Sequence, residues 1–359
     1  MEMAVNQKIK LFIIKFFINL IWILDYITSF PSKIYSGAAV TAALMILVSF
    51  YIPGTPTNIK LTWVSKKYSY ISDYFYESVN YQNKHNYPQV LGVKTTKIDY
   101  PYLASSIEMP AISAKSAIII DKNSGKTLFE LNKNLHLAPA STTKLMTALV
   151  SLDLYNLEDY LIIPYLCTLS DSQKIGFSVD SKVRVRDLLI GLLVGSGGDS
   201  ACALSTGKVT ANEFLNLMNK KAKDLGMDNT QFTNPVGLDG AHFSTAEDLY
   251  KLAQYATESE VIKNIVKLKN IDIPVLNSDG INSSISVVST NKLLWDIKGS
   301  VGIKTGKTEA AGEVLIYEYK NDKLDKDLII IVMGSQDRFL DTQNLLFWTL
   351  NSYKWEKDA

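Results

Sequence analysis

The sequence predicts an α+β domain, one five-stranded antiparallel sheet with helices on both faces, carried behind an N-terminal membrane segment. Three observations lead there. Ser116–Asp121 and Lys126–Leu131 flank the turn Lys122-Asn123-Ser124-Gly125 and read as a hairpin. Gly302–Gly306, Glu313–Tyr319 and Leu328–Gly334 read as three further strands, and helical periodicity dominates the chain between the two groups. Strands at both ends with helices inserted suggest one sheet, covered by terminal helices on one face and by a helical lobe on the other. Finally, Ile34–Ile52 carries no charge and is long enough to cross the ~30 Å hydrocarbon core of a bilayer as a helix.

Taken in order, residues 1–54 form the membrane-associated part. The run Leu11–Leu24 is apolar but broken by Lys15 and Asn19, which share a helical face with Lys8, so it reads as an amphipathic helix on the cytoplasmic surface. The helix at 34–52 ends at Pro53 and Gly54, with no small-residue cleavage site after it, and reads as an uncleaved anchor. Lys8, Lys10, Lys15 and Lys33 precede it, which keeps the N-terminus inside and sends the remainder outside the membrane. Residues 55–102, rich in Tyr, Lys and Asn, read as an extracytoplasmic stalk, and 103–359 as the folded domain. Within that domain, Val185–Val194, Ala211–Leu225, Ala246–Thr257 and Arg338–Tyr353 have helical spacing.

Composition removes several function classes. With 37 basic and 36 acidic residues, the net charge is +1, and no basic run accompanies it, which argues against nucleic-acid binding. Only His85, His136 and His242 are available as imidazoles and none stands in an HExxH pattern, so metal catalysis is disfavoured and no cofactor is implied. Two cysteines, Cys167 and Cys202, make neither a disulfide framework nor a zinc site. They read as small buried hydrophobes, although an extracytoplasmic location would permit a bridge.

The chemistry concentrates at Pro139-Ala140-Ser141-Thr142-Thr143-Lys144, which opens the apolar helical run Leu145, Met146, Leu149, Val150 and Leu152. Three residues apart, Ser141 and Lys144 share a face. A serine hydroxyl becomes nucleophilic when a neighbour takes its proton, and an enclosed lysine can do so once burial lowers its pKa. Alone, the pair also fits a capping serine followed by a surface lysine. Two further patterns sharpen it: Gly195-Ser196-Gly197-Gly198-Asp199 in a loop between helices, and Lys304-Thr305-Gly306 on a strand. By itself, Asp199 reads as a helix cap and Lys-Thr-Gly as a strand end.

Ser-x-x-Lys, a Ser-x-Asn-like loop and Lys-Thr-Gly in this order form the signature of active-site serine penicillin-binding proteins and class A β-lactamases. The stretches Asp187–Leu204, Thr233–Leu249, Ser289–Leu294, Val301–Gly312 and Ile329–Arg338 resemble the low-molecular-mass D-alanyl-D-alanine carboxypeptidases in particular. The resemblance runs from about Ile112 to Trp355 and implies the β-lactamase/transpeptidase-like fold. It implies Ser141 as nucleophile toward a peptidoglycan stem ending in D-Ala-D-Ala, Lys144 as its base and Ser196 as proton relay. Lys304, Thr305 and Gly306 would hold the substrate carboxylate, and the N–H groups of Ser141 and Lys307 would form the oxyanion hole. β-Lactams would acylate Ser141 as substrate mimics, and His242 is expected to be structural.

One departure stands out. Relatives place an asparagine at the position of Gly198, and its amide supports both the lysine and the substrate. Its loss predicts slow turnover, and Gly198→Asn is expected to raise the acylation rate. The alternatives are a class A-like β-lactamase, which needs a glutamate that the stretch from Phe214 to Ala246 lacks, with Glu213 inside a predicted helix, and a catalytically degenerate peptidoglycan-binding scaffold.

Overall fold

Continuous apolar runs along the core strands, with successive side chains pointing to opposite sides, give the central sheet two buried faces. The structure is a computed structural model; it describes residues 100–356 except 106 and 239–240, all within one compact unit, Thr95–Ala359. Strands β1 (Tyr102–Leu103), β2 (Ser116–Asp121) and β3 (Lys126–Leu131) come first. A 3-10 turn at Ala140–Thr143 leads into α1 (Lys144–Leu154). Then follow β4 (Tyr160–Ile162), the short α2 (Tyr165–Thr168), β5 (Lys182–Arg184), α3 (Val185–Leu193), α4 (Gly198–Thr206), α5 (Ala211–Asp224), α6 (Ala246–Ala256) and α7 (Glu260–Val266). The hairpin β6 (Asn270–Leu276) and β7 (Asn282–Val288) and the short α8 (Leu293–Asp296) lead to β8 (Ser300–Thr308), β9 (Gly312–Asn321) and β10 (Lys326–Ser335). Helix α9 (Arg338–Ser352) and β11 (Tyr353–Lys354) end the described chain.

The main sheet has five strands in the order β3-β2-β10-β9-β8, every pairing antiparallel. Central β10 joins the early hairpin to the late strands, so the helical lobe is an insertion into one sheet. Because side chains alternate, Ile118, Ile120, Ile316, Ile329, Ile331 and Met333 pack on the face with α1, α3, α4 and α6. Their neighbours Ala117, Ile119, Leu315, Tyr317, Leu328, Ile330 and Val332 pack on the other face with Leu345 and Leu346 of α9. Burial of both faces explains why β2 and β10 are almost wholly apolar. Strand β8 lies at the edge, which leaves its outer side open to the site.

Several expectations need correction. The middle of the chain holds a second, four-stranded antiparallel sheet, β4-β5-β6-β7, where only helices and irregular segments were expected. Its β6 alternates Ile271, Ile273 and Val275 but contains Pro274, which argues against a strand, and its β7 is largely polar. On the α9 side, the chain before β2 forms no helix, and a single terminal helix covers the face among the described residues. Cys167 and Cys202, read as separate thiols, form a disulfide that ties α2 to α4. The expected anchor at 34–52, the amphipathic run at 11–24 and the stalk as far as residue 99 lie outside the described residues; Tyr102 pairs with Lys354 in the β1–β11 ladder. Among the described residues no helix is long and apolar enough to cross a membrane.

Candidate active site

Ser141 lies in the 3-10 turn rather than in the first turn of the helix, and Lys144 is the first residue of α1. A 3-10 turn stacks residues i and i+3, so the tighter winding brings the two side chains together. Lys144 Nζ is 2.9 Å from Ser141 Oγ. The turn is closed by Thr142, whose Oγ1 donates to Pro139 O at 2.6 Å, and it is entered through Ala140 at φ 49°, a left-handed conformation that a non-glycine residue holds only under constraint. Lys144 is 0% exposed, and its amine also meets Val236 O at 3.0 Å and Ser172 Oγ at 3.2 Å. Burial pushes its pKa down to about 7, partly opposed by the carboxylate of Asp199.

Ser196 stands in the connection between α3 and α4 with φ 59°, a second non-glycine residue in the left-handed region. Lys304 of β8 donates to Ser196 Oγ at 2.9 Å and to Thr305 O at 2.9 Å. It too is buried, and burial, followed by the nearby Lys144 and Arg338, holds its amine well below the usual lysine range. Thr305 Oγ1 lies 2.6 Å from Thr290 Oγ1, on the segment between β7 and α8.

Gly306 lets β8 approach the Ser141 turn. A β-carbon there would stand 3.0 Å from Ser141 N and from Ala140 Cβ. Its carbonyl accepts from Arg338 Nη1 at 2.9 Å, and Arg338 pairs with Glu313 at 3.7 Å. The Lys307 side chain turns away to an exposed ion pair with Glu313 at 2.8 Å.

Gly198 is placed differently from the expectation. It is buried in the first turn of α4, its N–H donating to Gln173 O at 2.6 Å. A β-carbon on it would meet Ser170 Oγ and Ser172 Cβ, each at 2.5 Å. The space an asparagine side chain would need is filled by the 169–177 loop. Asp199 stands in the first turn of α4, after the N-cap Gly197, and its carboxylate accepts from Ser200 N–H at 2.9 Å. Its carboxylate accepts from the backbone N–H of Ile175, Gly176 and Phe177 at 3.0, 2.8 and 3.4 Å and so fixes that loop. His242 is buried, with Nδ1 3.1 Å from Thr233 Oγ1.

The structure therefore brings Ser141, Lys144, Ser196, Lys304, Thr305 and Gly306 to one place. Such a group can generate a serine alkoxide and receive an anion. Ser172, the Val236 carbonyl, Thr290 and Arg338 join it without having been singled out in the sequence; Thr290 and Arg338 fell inside stretches already noted, whereas Ser172 has only a polar loop around it. Among the described residues no group of three or more His, Cys, Asp and Glu side chains is arranged to hold a metal ion.

Fold and arrangement of residues together define a protein of the penicillin-binding-type fold. Residues 104–337 match the family model described as D-alanyl-D-alanine carboxypeptidase, and the chain belongs to that family. It is 30% identical over 254 residues to D-alanyl-D-alanine carboxypeptidase DacF of Bacillus subtilis, covering 68% of this chain and 64% of that one. It is 32% identical over 260 residues to DacC of Escherichia coli, covering 68% of this chain and 62% of that one. The chain thus spans less than two thirds of the length of these two relatives. The crystal structure of the Streptomyces K15 DD-transpeptidase superposes with a TM-score of 0.65 at 28% identity, covering 68% of this chain and all of that one.

Proposed function

We propose that this protein is a membrane-anchored serine D-alanyl-D-alanine carboxypeptidase acting on peptidoglycan stem peptides outside the cell membrane. Neutral Lys144 takes the Ser141 proton as Oγ attacks the carbonyl between the last two D-alanines. The oxyanion is held by the N–H groups of Ser141 and Lys307, and Ser196 passes a proton to the amine of the departing D-alanine. The C–N bond breaks and a Ser141 ester remains, which water hydrolyses. Lys304 and Thr305 hold the terminal carboxylate; the arriving anion favours the charged form of Lys304 and raises its lowered pKa again. A β-lactam would acylate the same oxygen. Gly198 would slow turnover only if Lys144 lacked another partner.

The observation that carries this reading is the 2.9 Å contact between Ser141 Oγ and an amine whose pKa is lowered to about 7. Release of free D-alanine from a peptide ending in D-Ala-D-Ala, abolished in Ser141→Ala, tests it. Penicillin labelling without D-alanine release would instead favour a scaffold, and fast repeated turnover of nitrocefin a β-lactamase. Against the latter, Glu213 is committed to a capping box with Thr210 at the start of α5. The extracytoplasmic location is supported by the Cys167–Cys202 bridge, which suits an oxidising compartment. Reporter fusions to the C-terminus that are active only in the cytoplasm would overturn it.

A further inference from the structure

We propose that Ser172 is a positioning residue of this site: its hydroxyl turns the Lys144 amine so that the nitrogen lone pair faces Ser141, and glycine at 198 is what makes room for it. This rests on the reading of Lys144 as the base for Ser141.

A neutral primary amine has two N–H donors and one lone pair. Lys144 Nζ has three partners, Val236 O at 3.0 Å, Ser172 Oγ at 3.2 Å and Ser141 Oγ at 2.9 Å. A carbonyl oxygen can only accept, so Val236 takes one N–H. When Ser172 takes the other, the lone pair is left for the Ser141 proton. Without Ser172 the amine can rotate and donate to Ser141, an orientation in which it cannot act as a base.

Ser172 is also held where it is. Its loop is fastened to α4 at three places: the Asp199 carboxylate binds three successive N–H groups at Ile175–Phe177, Gly198 N donates to Gln173 O, and Cys167 is bonded to Cys202. Ser172 itself is 7% exposed. At residue 198, a β-carbon would stand 2.5 Å from Ser172 Cβ, an atom fixed by the backbone that cannot swing aside as a hydroxyl can. A side chain at 198 and Ser172 therefore exclude one another, and this chain has taken Ser172. The charged groups acting with Lys144 are Asp199 from α4 and Lys304 from β8; neither is changed by substitution at 172.

The test uses the purified full-length protein. Acylation by a fluorescent penicillin is followed against pH, and the Lys144 amine is titrated by NMR of 13Cε-labelled lysine, its signal assigned by loss in Lys144→Arg. Ser172→Ala should slow acylation roughly tenfold at the plateau. It should also move both the acylation midpoint and the Lys144 titration to lower pH, because a charge-assisted bond to the ammonium is stronger than a bond to the neutral amine. Simple loosening of the loop would admit water and move both upward, toward the ordinary lysine range. Gly198→Asn alone should slow acylation as well, and Ser172→Gly combined with Gly198→Asn should acylate faster than Gly198→Asn alone. An unchanged rate and titration in Ser172→Ala, or an upward shift, overturns the proposal. If wild-type protein is not acylated at all, the reading of Ser141 fails, and the NMR titration alone still decides for or against Ser172 by its direction.

Discussion

Lys304 Nζ lies 2.9 Å from Ser196 Oγ although 108 residues separate them. The contact joins the edge strand of the sheet to the connection between α3 and α4, and so fixes the helical lobe against β8 at the site. It also gives the buried Lys304 amine one of two partners, the other being the carbonyl of Thr305.

Ser196→Ala removes the proposed proton carrier and leaves the Lys304 amine with one partner fewer. Proton transfer by a placed group contributes about 10²–10⁴-fold, so D-alanine release should fall by at least about a hundredfold. The far-ultraviolet circular dichroism should be unchanged, because the α3–α4 connection is also held by the Gly197 N–H to Gly191 O bond at 2.9 Å. Retention of near-normal release would remove Ser196 from the proposed machinery.

The pH dependence follows from Lys144. In the proposed mechanism its neutral form is the base, and its pKa is lowered to about 7 by burial. Acylation should therefore rise with pH, reach half its maximum near pH 7 and level off above. The same lowering has a stability consequence. Between about 7 and the ordinary value of 10.5 the unfolded chain binds a proton at this residue that the folded chain does not, so the Lys144 contribution to stability grows as pH rises through that window. Stopped-flow labelling and denaturant titration across this range check the two signs separately.

Gly306→Ala tests the close approach of β8 to the Ser141 turn. The added methyl would meet Ser141 N and Ala140 Cβ at 3.0 Å, both atoms of the backbone framework. Overpacking of this kind costs about 1–3 kcal/mol, relieved here by moving β8 off the turn. Acylation by penicillin should drop by about ten- to a hundredfold while thermal unfolding shifts by only a few degrees. Activity equal to wild type would mean that the strand and turn are more loosely packed than the distances indicate.

Much of the site was legible because each part is announced by residues close in sequence. Ser141 and Lys144 are one turn apart, and Lys304, Thr305 and Gly306 are consecutive. The apolar runs of β2 and β10 were equally plain, since both faces of the sheet are buried. Ser172 was not legible. It sits in Leu169-Ser170-Asp171-Ser172-Gln173, a stretch with the composition of a surface loop, and reaches Lys144 only because three anchors on α4 fold that loop inward. Asp199 was legible as a helix-start residue, and its carboxylate does accept from Ser200 N–H in the first turn, but its three loop partners lie 22 to 24 residues earlier in the chain and were not legible. The β4–β7 sheet was hidden by Pro274 and by a polar β7 whose faces are mostly exposed.

The Cys167–Cys202 bridge and Asp199 both hold the Ser172 loop, and they can be separated. Joining residues 35 apart, the bridge constrains the unfolded chain, so replacing both cysteines by alanine should cost about 2–4 kcal/mol in denaturant titration. Its effect on acylation should be only a few-fold, because the Asp199 carboxylate still binds Ile175, Gly176 and Phe177, the first two of which lie nearer in sequence to Ser172 than Cys167 does. Asp199→Ala should have the opposite profile. It releases three backbone N–H groups at the loop itself, so acylation should fall by more than tenfold even with the bridge intact, while loss of the carboxylate that raises the Lys144 pKa should move the acylation midpoint to lower pH. Penicillin labelling and unfolding midpoints measured on both variants decide the division. If the cysteine variant loses acylation as severely as Asp199→Ala, the bridge and not the carboxylate sets the position of the loop.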